Sequence, residues 1–299
     1  MKRINQLTAE RLIDFSAGNK ELKPLATQQL EGTVALYNRL ADNRVAYLAD
    51  EVGMGKTYIA LGVAVLMRRF NPSLRVLYLL PKNNVRDKWV KDYKSFIEYN
   101  YQPRDLLVKG LGNQPVAPYL ACSGLPELIQ AVATSSSRDY FICTSAFSFA
   151  LGNTVDELRK ALNQFAQLLP QYEDVAMTLR SELCEGLSGA AFSTLKAKVK
   201  AAWATALNNI LPRFDLVVVD EAHNLKKGRD TSDRNQSLAM LLGSDSEETN
   251  RVDRLLLLSA TPLDRQLNHL RNQLDLFGMS CQAALPPGNE YSTEEAQVA

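Results

Sequence analysis

The sequence predicts an α/β fold: a mostly parallel, doubly wound sheet with helices on both faces. Three observations carry that prediction. Five short runs, residues 44–49, 75–80, 140–144, 215–219 and 255–259, are nearly all apolar rather than alternating, as strands buried on both faces of a parallel sheet are. Helical periodicity separates the early runs, the pattern of βαβ units. A turn containing Gly53, Gly55, Lys56 and Thr57 joins the first run to the first helical pattern.

In chain order, residues 56–70 form the helix after the first strand. After the second, Val85, Trp89, Tyr93 and Phe96 recur at helical spacing through residues 84–98. Residues 110–137 are rich in Gly, Pro and Ser and read as a loop, with a short helix at 125–134. Beyond the third strand, Leu158, Leu162, Phe165 and Leu169 again repeat at helical spacing, and further helices fit residues 173–185 and 191–211. Residues 152–212 thus read as an all-helical insertion between the third and fourth strands. The domain is expected to span residues 1–277. Residues 278–299, with Pro286-Pro287-Gly288 and a polar tail, read as linker or disorder.

Composition narrows the function classes. A formal net charge of +1 gives no bulk attraction to nucleic acid, so such a partner must be held by local basic patches. The four cysteines form no C-x-x-C pair and only two histidines accompany them, which argues against a zinc site and for buried thiols in a reducing compartment. The longest largely apolar stretch, residues 58–67, is far short of the ~20 residues that span a bilayer, and residues 1–10 hold no signal-peptide run. A cytoplasmic protein without a membrane partner is expected.

The turn Ala49-Asp50-Glu51-Val52-Gly53-Met54-Gly55-Lys56-Thr57 lies between strand and helix, the context a phosphate loop requires. Gly53 and Gly55 let backbone N–H groups face phosphates, and the helix N-terminus adds its dipole. Lys56 would bridge the β and γ phosphates of ATP, and the Thr57 hydroxyl would ligate Mg2+. The general pattern G-x-x-x-x-G-K-[ST] places Gly where this chain has Asp50. The second constellation is Asp220-Glu221-Ala222-His223, directly after the apolar run 216–219. A carboxylate there sits at the carboxyl edge of a parallel sheet, where ligands bind. Asp220 would hold Mg2+, and Glu221 would orient the attacking water.

Together these segments resemble helicase superfamily 2, whose motors are pairs of RecA-like P-loop NTPase domains. The acidic form of the loop, Asp50-Glu51-Val52-Gly53-Met54-Gly55-Lys56-Thr57, is similar to that of the Swi/Snf-type DNA translocases, and Asp220–His223 spells a DEAH box. Ser259-Ala260-Thr261-Pro262 looks like the motif that couples hydrolysis to movement in that family, joined there by His223. Leu79-Leu80-Pro81-Lys82 followed by Trp89, and Thr144-Ser145-Ala146-Phe147, resemble segments that touch the nucleic-acid backbone. Gln28 looks like the adenine-reading glutamine, with Gln29 a competitor for that role.

The resemblance implies an ATP hydrolase partnered by double-stranded DNA. Lys82, Arg86, Thr144 and Ser145 would contact the nucleic acid; Lys88, Lys91 and Lys94 extend the basic cluster, while Trp89 and Trp203 read as core. Lys196, Lys198 and Lys200, and Lys226, Lys227 and Arg229, form two further basic groups. The family's second RecA-like lobe supplies arginine fingers, and the residues after Phe277 hold no arginine. The sequence is therefore expected to need that lobe from elsewhere and to hydrolyse ATP weakly alone. Two rivals stay open: a DEAH-type RNA helicase lobe, against which Asp50-Glu51 and Pro262 argue, and a non-motor ATP-binding switch.

Overall fold

In the computed structural model, residues 1–50, 54–136, 138–148, 151–184, 186–229, 232–243, 248–260 and 267–280 are described. Strands β1 (Val45–Ala49), β2 (Val76–Leu80), β3 (Tyr119–Cys122), β4 (Asp139–Cys143), β5 (Leu216–Val219) and β6 (Leu255–Ser259) form one sheet. Their order is β1-β6-β5-β2-β4-β3, and every pairing is parallel. The consequence for function is geometric. All six carboxyl ends lie on one edge, so the segments after β1, β2, β4, β5 and β6 meet there although they are far apart in sequence.

The strands alternate between two cores. Leu77, Leu79, Val217, Val219, Leu255 and Leu257 face one side, and Val76, Tyr78, Leu80, Val218, Leu256 and Leu258 face the other. Both faces are dry, which is why the runs show no polar alternation. Helices α1 (Gln6–Glu10), α2 (Lys23–Asn43), α3 (Lys56–Phe70) and α4 (Asn83–Ser95) cover the second core. The first is covered by α5 (Leu125–Ala133), α6 (Val155–Leu168), α7 (Glu173–Ser181), α8 (Gly189–Ile210), α9 (Asp233–Leu241) and α10 (Leu267–Asp275).

Two expectations need correction. Residues 110–137 contain β3, so the helical insertion lies between the fourth and fifth strands. The edge strand β3 pairs only with β4 and is half-buried over most of its four residues; its run is short and sits between Pro118 and Ser123-Gly124, inside a stretch whose Gly, Pro and Ser read as loop. Secondly, Cys184 is exposed, unlike Cys122 and Cys143. The insertion is an integral layer of the domain: Leu158, Phe165, Leu195, Val199 and Leu207 share one core with Val217 and Val219. Thr154 and Glu157 form a reciprocal capping box that starts α6. Its lysines also have local work. Lys198 pairs with Glu182 at 2.7 Å, and Lys200 is buried against Asp233 at 2.9 Å and Gln236 at 2.6 Å. Among the described residues, no helix is long and apolar enough to cross a membrane.

One buried ion pair locks α3 to the sheet. The Arg68 guanidinium meets the Asp139 carboxylate, their side chains 3% and 1% exposed; Arg68 Nη1 also donates to Leu74 O at 2.9 Å, and the Tyr93 hydroxyl donates to Asp139 Oδ2 at 2.6 Å. Removing one partner leaves an uncompensated buried charge, at a cost of about 3–5 kcal/mol. Arg68→Ala is therefore expected to lower the unfolding free energy by that amount in urea denaturation; a loss below about 1 kcal/mol, the range of an exposed pair, contradicts this account.

Candidate active site

The phosphate-loop segment begins where β1 ends. Asp50 N donates to Ser259 O at 3.3 Å, carrying the β1–β6 ladder past the strand. The Lys56 ammonium donates to Asp50 O at 2.8 Å, which ties the start of α3 to the end of β1. Gly55 precedes α3 with φ +82°, ψ 29°. A Cβ there would stand 2.1 Å from Gln29 Nε2 and would displace that amide; the positive φ is what demands glycine. The N-cap of α3 is Gly55, and a helix N-terminus favours a phosphate ligand. Thr57 is half-buried in its first turn. Glu51 and Gly53 lie outside the described residues.

The two glutamines stand in different settings. Gln28 is exposed, whereas the Gln29 amide donates to Met54 O at 3.3 Å. Gln29, four residues before the buried Thr33 on α2, is thus the amide held against the loop.

At the end of β5, Asp220 N donates to Leu79 O at 3.0 Å. Its Oδ1 accepts the Glu221 N–H at 3.0 Å, and its Oδ2 accepts from Trp89 Nε1 at 3.0 Å. Sequence reasoning placed Trp89 in the core and missed this bond. A buried indole N–H needs an acceptor, and that need was the available signal. Burial pushes the Asp220 carboxyl above its usual range and the Glu221 carboxylate adds to this, while Trp89, the Glu221 N–H and the Lys56 ammonium pull the other way. The lysine of the first motif and the aspartate of the second therefore share one electrostatic environment.

Glu221 occupies the left-handed region at φ 52°, ψ 49°, a conformation that costs a non-glycine residue about 1–3 kcal/mol. The tight turn aims its N–H back at Asp220 and its carboxylate at His223. His223 Nδ1 lies 3.2 Å from Glu221 Oε2 and 3.1 Å from Ser259 Oγ. Ser259 is fully buried and hydrogen-bonds Tyr47 on β1, which also bonds Gln273 on α10; burial pushes the Tyr47 hydroxyl above its ordinary value. Ala260 is half-buried beside Ser259. Thr261 and Pro262 lie outside the described residues.

These groups fit Mg2+. Thr57 and Asp220 offer hard oxygen donors, and Asp220 is a carboxylate whose charge burial disfavours and a cation would compensate. Among the described residues no group of three His, Cys, Asp or Glu could hold a metal. Magnesium needs none, since one or two carboxylates plus phosphate oxygens and waters complete its shell.

The proposed nucleic-acid residues divide. Lys82 is exposed at the carboxyl edge. Cys143 Sγ donates to Asn83 Oδ1 at 3.2 Å, which joins the end of β4 to the start of α4. In the turn Thr144–Phe147, Ser145 is exposed and Thr144 is 6% exposed, so of this pair Ser145 presents its side chain to solvent. Arg86 is already engaged: it is 14% exposed, bonds Asp87 at 2.8 Å and donates to Cys122 O at 2.9 Å. It anchors the end of β3.

The family described as the res subunit of type III restriction enzymes (ResIII) matches residues 19–264, a span that holds all six strands and both motifs. The chain belongs to the ResIII family. This ResIII chain is a helicase-type motor domain of superfamily 2 with a RecA-like α/β fold, and nucleotide hydrolysis is the general activity of such domains. No curated protein matches it. The ResIII chain is similar to the SWI2/SNF2 ATPase core of Sulfolobus solfataricus, solved in complex with dsDNA, at 12% identity and a TM-score of 0.47 over 85% of this chain. It spans 35% of the length of that protein.

Proposed function

We propose that the chain is the ATP-binding lobe of a Swi/Snf-type translocase that couples ATP hydrolysis to movement on double-stranded DNA. The observation that supports this reading is that Lys56, which begins α3 after β1, and Asp220, which follows β5, both belong to segments at the carboxyl edge of one parallel sheet. Lys56 would neutralise phosphate charge. Thr57 and Asp220 would hold magnesium, Asp220 through water, and Glu221 would orient the attacking water. Magnesium, when bound, would supply positive charge that neutralises the phosphates. Gln29 would stand at the adenine end, and His223 with Ser259 would couple this chemistry to the rest of the motor. A second RecA-like lobe, on this polypeptide or another, would add an arginine finger, a group worth ~10³–10⁵ in rate in related enzymes.

DNA as the track is supported by the exposed Lys82 and Ser145 beside the site and by a family described as restriction-enzyme subunits. Phosphate contacts of this kind bind without sequence choice. The test is steady-state ATP hydrolysis by the chain with its second lobe, alone, with duplex DNA and with duplex RNA. Duplex DNA is expected to raise the rate by about tenfold or more, with a response that fades as salt rises. Equal stimulation by RNA reassigns the chain to an RNA motor; no stimulation by either leaves the ATP-dependent switch.

A further inference from the structure

Trp89 is 1% exposed on α4, and its indole N–H donates to Asp220 Oδ2 at 3.0 Å. An indole nitrogen donates and cannot accept, so this bond requires a lone pair on the carboxylate. The other oxygen, Oδ1, takes the Glu221 N–H at 3.0 Å. One fixed donor on each oxygen defines the plane of the carboxylate. The indole is itself held: Tyr78 lies against it with ring centroids 5.6 Å apart, and Tyr78 stacks on Phe141 at 4.3 Å with rings 2° from parallel. One turn further along α4, Tyr93 donates to Asp139 Oδ2 at 2.6 Å. Asp139 opens β4 and Asp220 follows β5. Helix α4 is thus tied to carboxylates at opposite ends of the sheet, and it starts at the exposed Lys82.

We propose that Trp89 is a positioning residue for magnesium: it orients Asp220 and links that carboxylate, through α4, to the basic surface beginning at Lys82. The proposal rests on the reading of Asp220 as a magnesium-holding group. A residue that only filled the core would leave the magnesium dependence of nucleotide binding unchanged when its ring packing was kept. Trp89→Phe keeps an aromatic ring and removes the donor.

The experiment uses the full chain. Calorimetric titration with ATP, in magnesium and in EDTA, gives the gain in affinity that magnesium confers. In Trp89→Phe that gain is expected to fall about tenfold, the size of one hydrogen bond to a charged group, with affinity in EDTA within about twofold of the parent. In parallel, Trp203→Phe leaves Trp89 as the sole tryptophan of the two; Trp203 stacks on Phe165 in the insertion, away from the site. Trp89 emission should then shift on adding magnesium with ATP and stay constant with ATP in EDTA. If Trp89→Phe does not fold, the emission decides. A full magnesium gain in folded Trp89→Phe, or an emission blind to magnesium while the parent binds magnesium-ATP, overturns the positioning role and leaves the ATP site standing. A parent that binds no ATP under either condition overturns both.

Discussion

Replacing Lys56 with alanine abolishes ATP binding at concentrations that saturate the parent. The ammonium donates to Asp50 O at 2.8 Å, at the end of β1. Hydrogen bonds between charged groups contribute about 1.5–3 kcal/mol each. Loss of two phosphate contacts therefore weakens binding by about 100-fold or more. Equilibrium titration with ATP and magnesium checks this. Because Lys56 makes no apolar contribution to the core, the melting temperature should hold, which separates lost binding from lost folding. Parent-like affinity in Lys56→Ala would place the triphosphate elsewhere.

Glu221→Gln gives the second large effect, with the opposite signature. The amide is close in shape to the carboxylate and keeps an oxygen, but it cannot take a proton from water. Positioned general bases contribute about 10²–10⁴ in rate, so single-turnover hydrolysis should fall by at least about 100-fold with ATP affinity within about twofold. The strained backbone at φ 52° belongs to the turn rather than to the charge, and it survives the substitution. A variant that hydrolyses ATP at the parent rate removes Glu221 from the chemistry.

The parts of this molecule that were legible in its sequence share a physical cause. Central strands are buried on both faces and leave unbroken apolar runs; Val76–Leu80 and Leu255–Ser259 are buried throughout, and both were readable. Strand β3 was not, because its four apolar residues are enclosed by Pro118 and Ser123-Gly124 in a stretch rich in turn-forming residues. The helix Lys56–Phe70 coincides with its expected span, since Gly55 starts it and Asn71 ends it. Motif residues were legible because parallel strands bring every carboxyl end to one edge whatever the sequence separation. Side-chain choices between neighbours were not. Gln28 and Gln29 differ only in which face of α2 they occupy, and Arg86 is indistinguishable from a solvent-facing cation until Cys122 O is seen beside it. The Trp89–Asp220 bond joins residues 131 apart, and no local pattern encodes it.

The central claim is that Thr57 and Asp220, from opposite ends of the domain's sequence, hold one magnesium on one triphosphate. The most direct measurement is a double-mutant cycle on the affinity that magnesium adds to ATP binding, using Thr57→Ala, Asp220→Asn and the pair. Groups that share a partner are non-additive, so the double variant should lose little more than the worse single one. Losses that simply add, to within about 0.3–0.5 kcal/mol, would mean the two residues act on separate things.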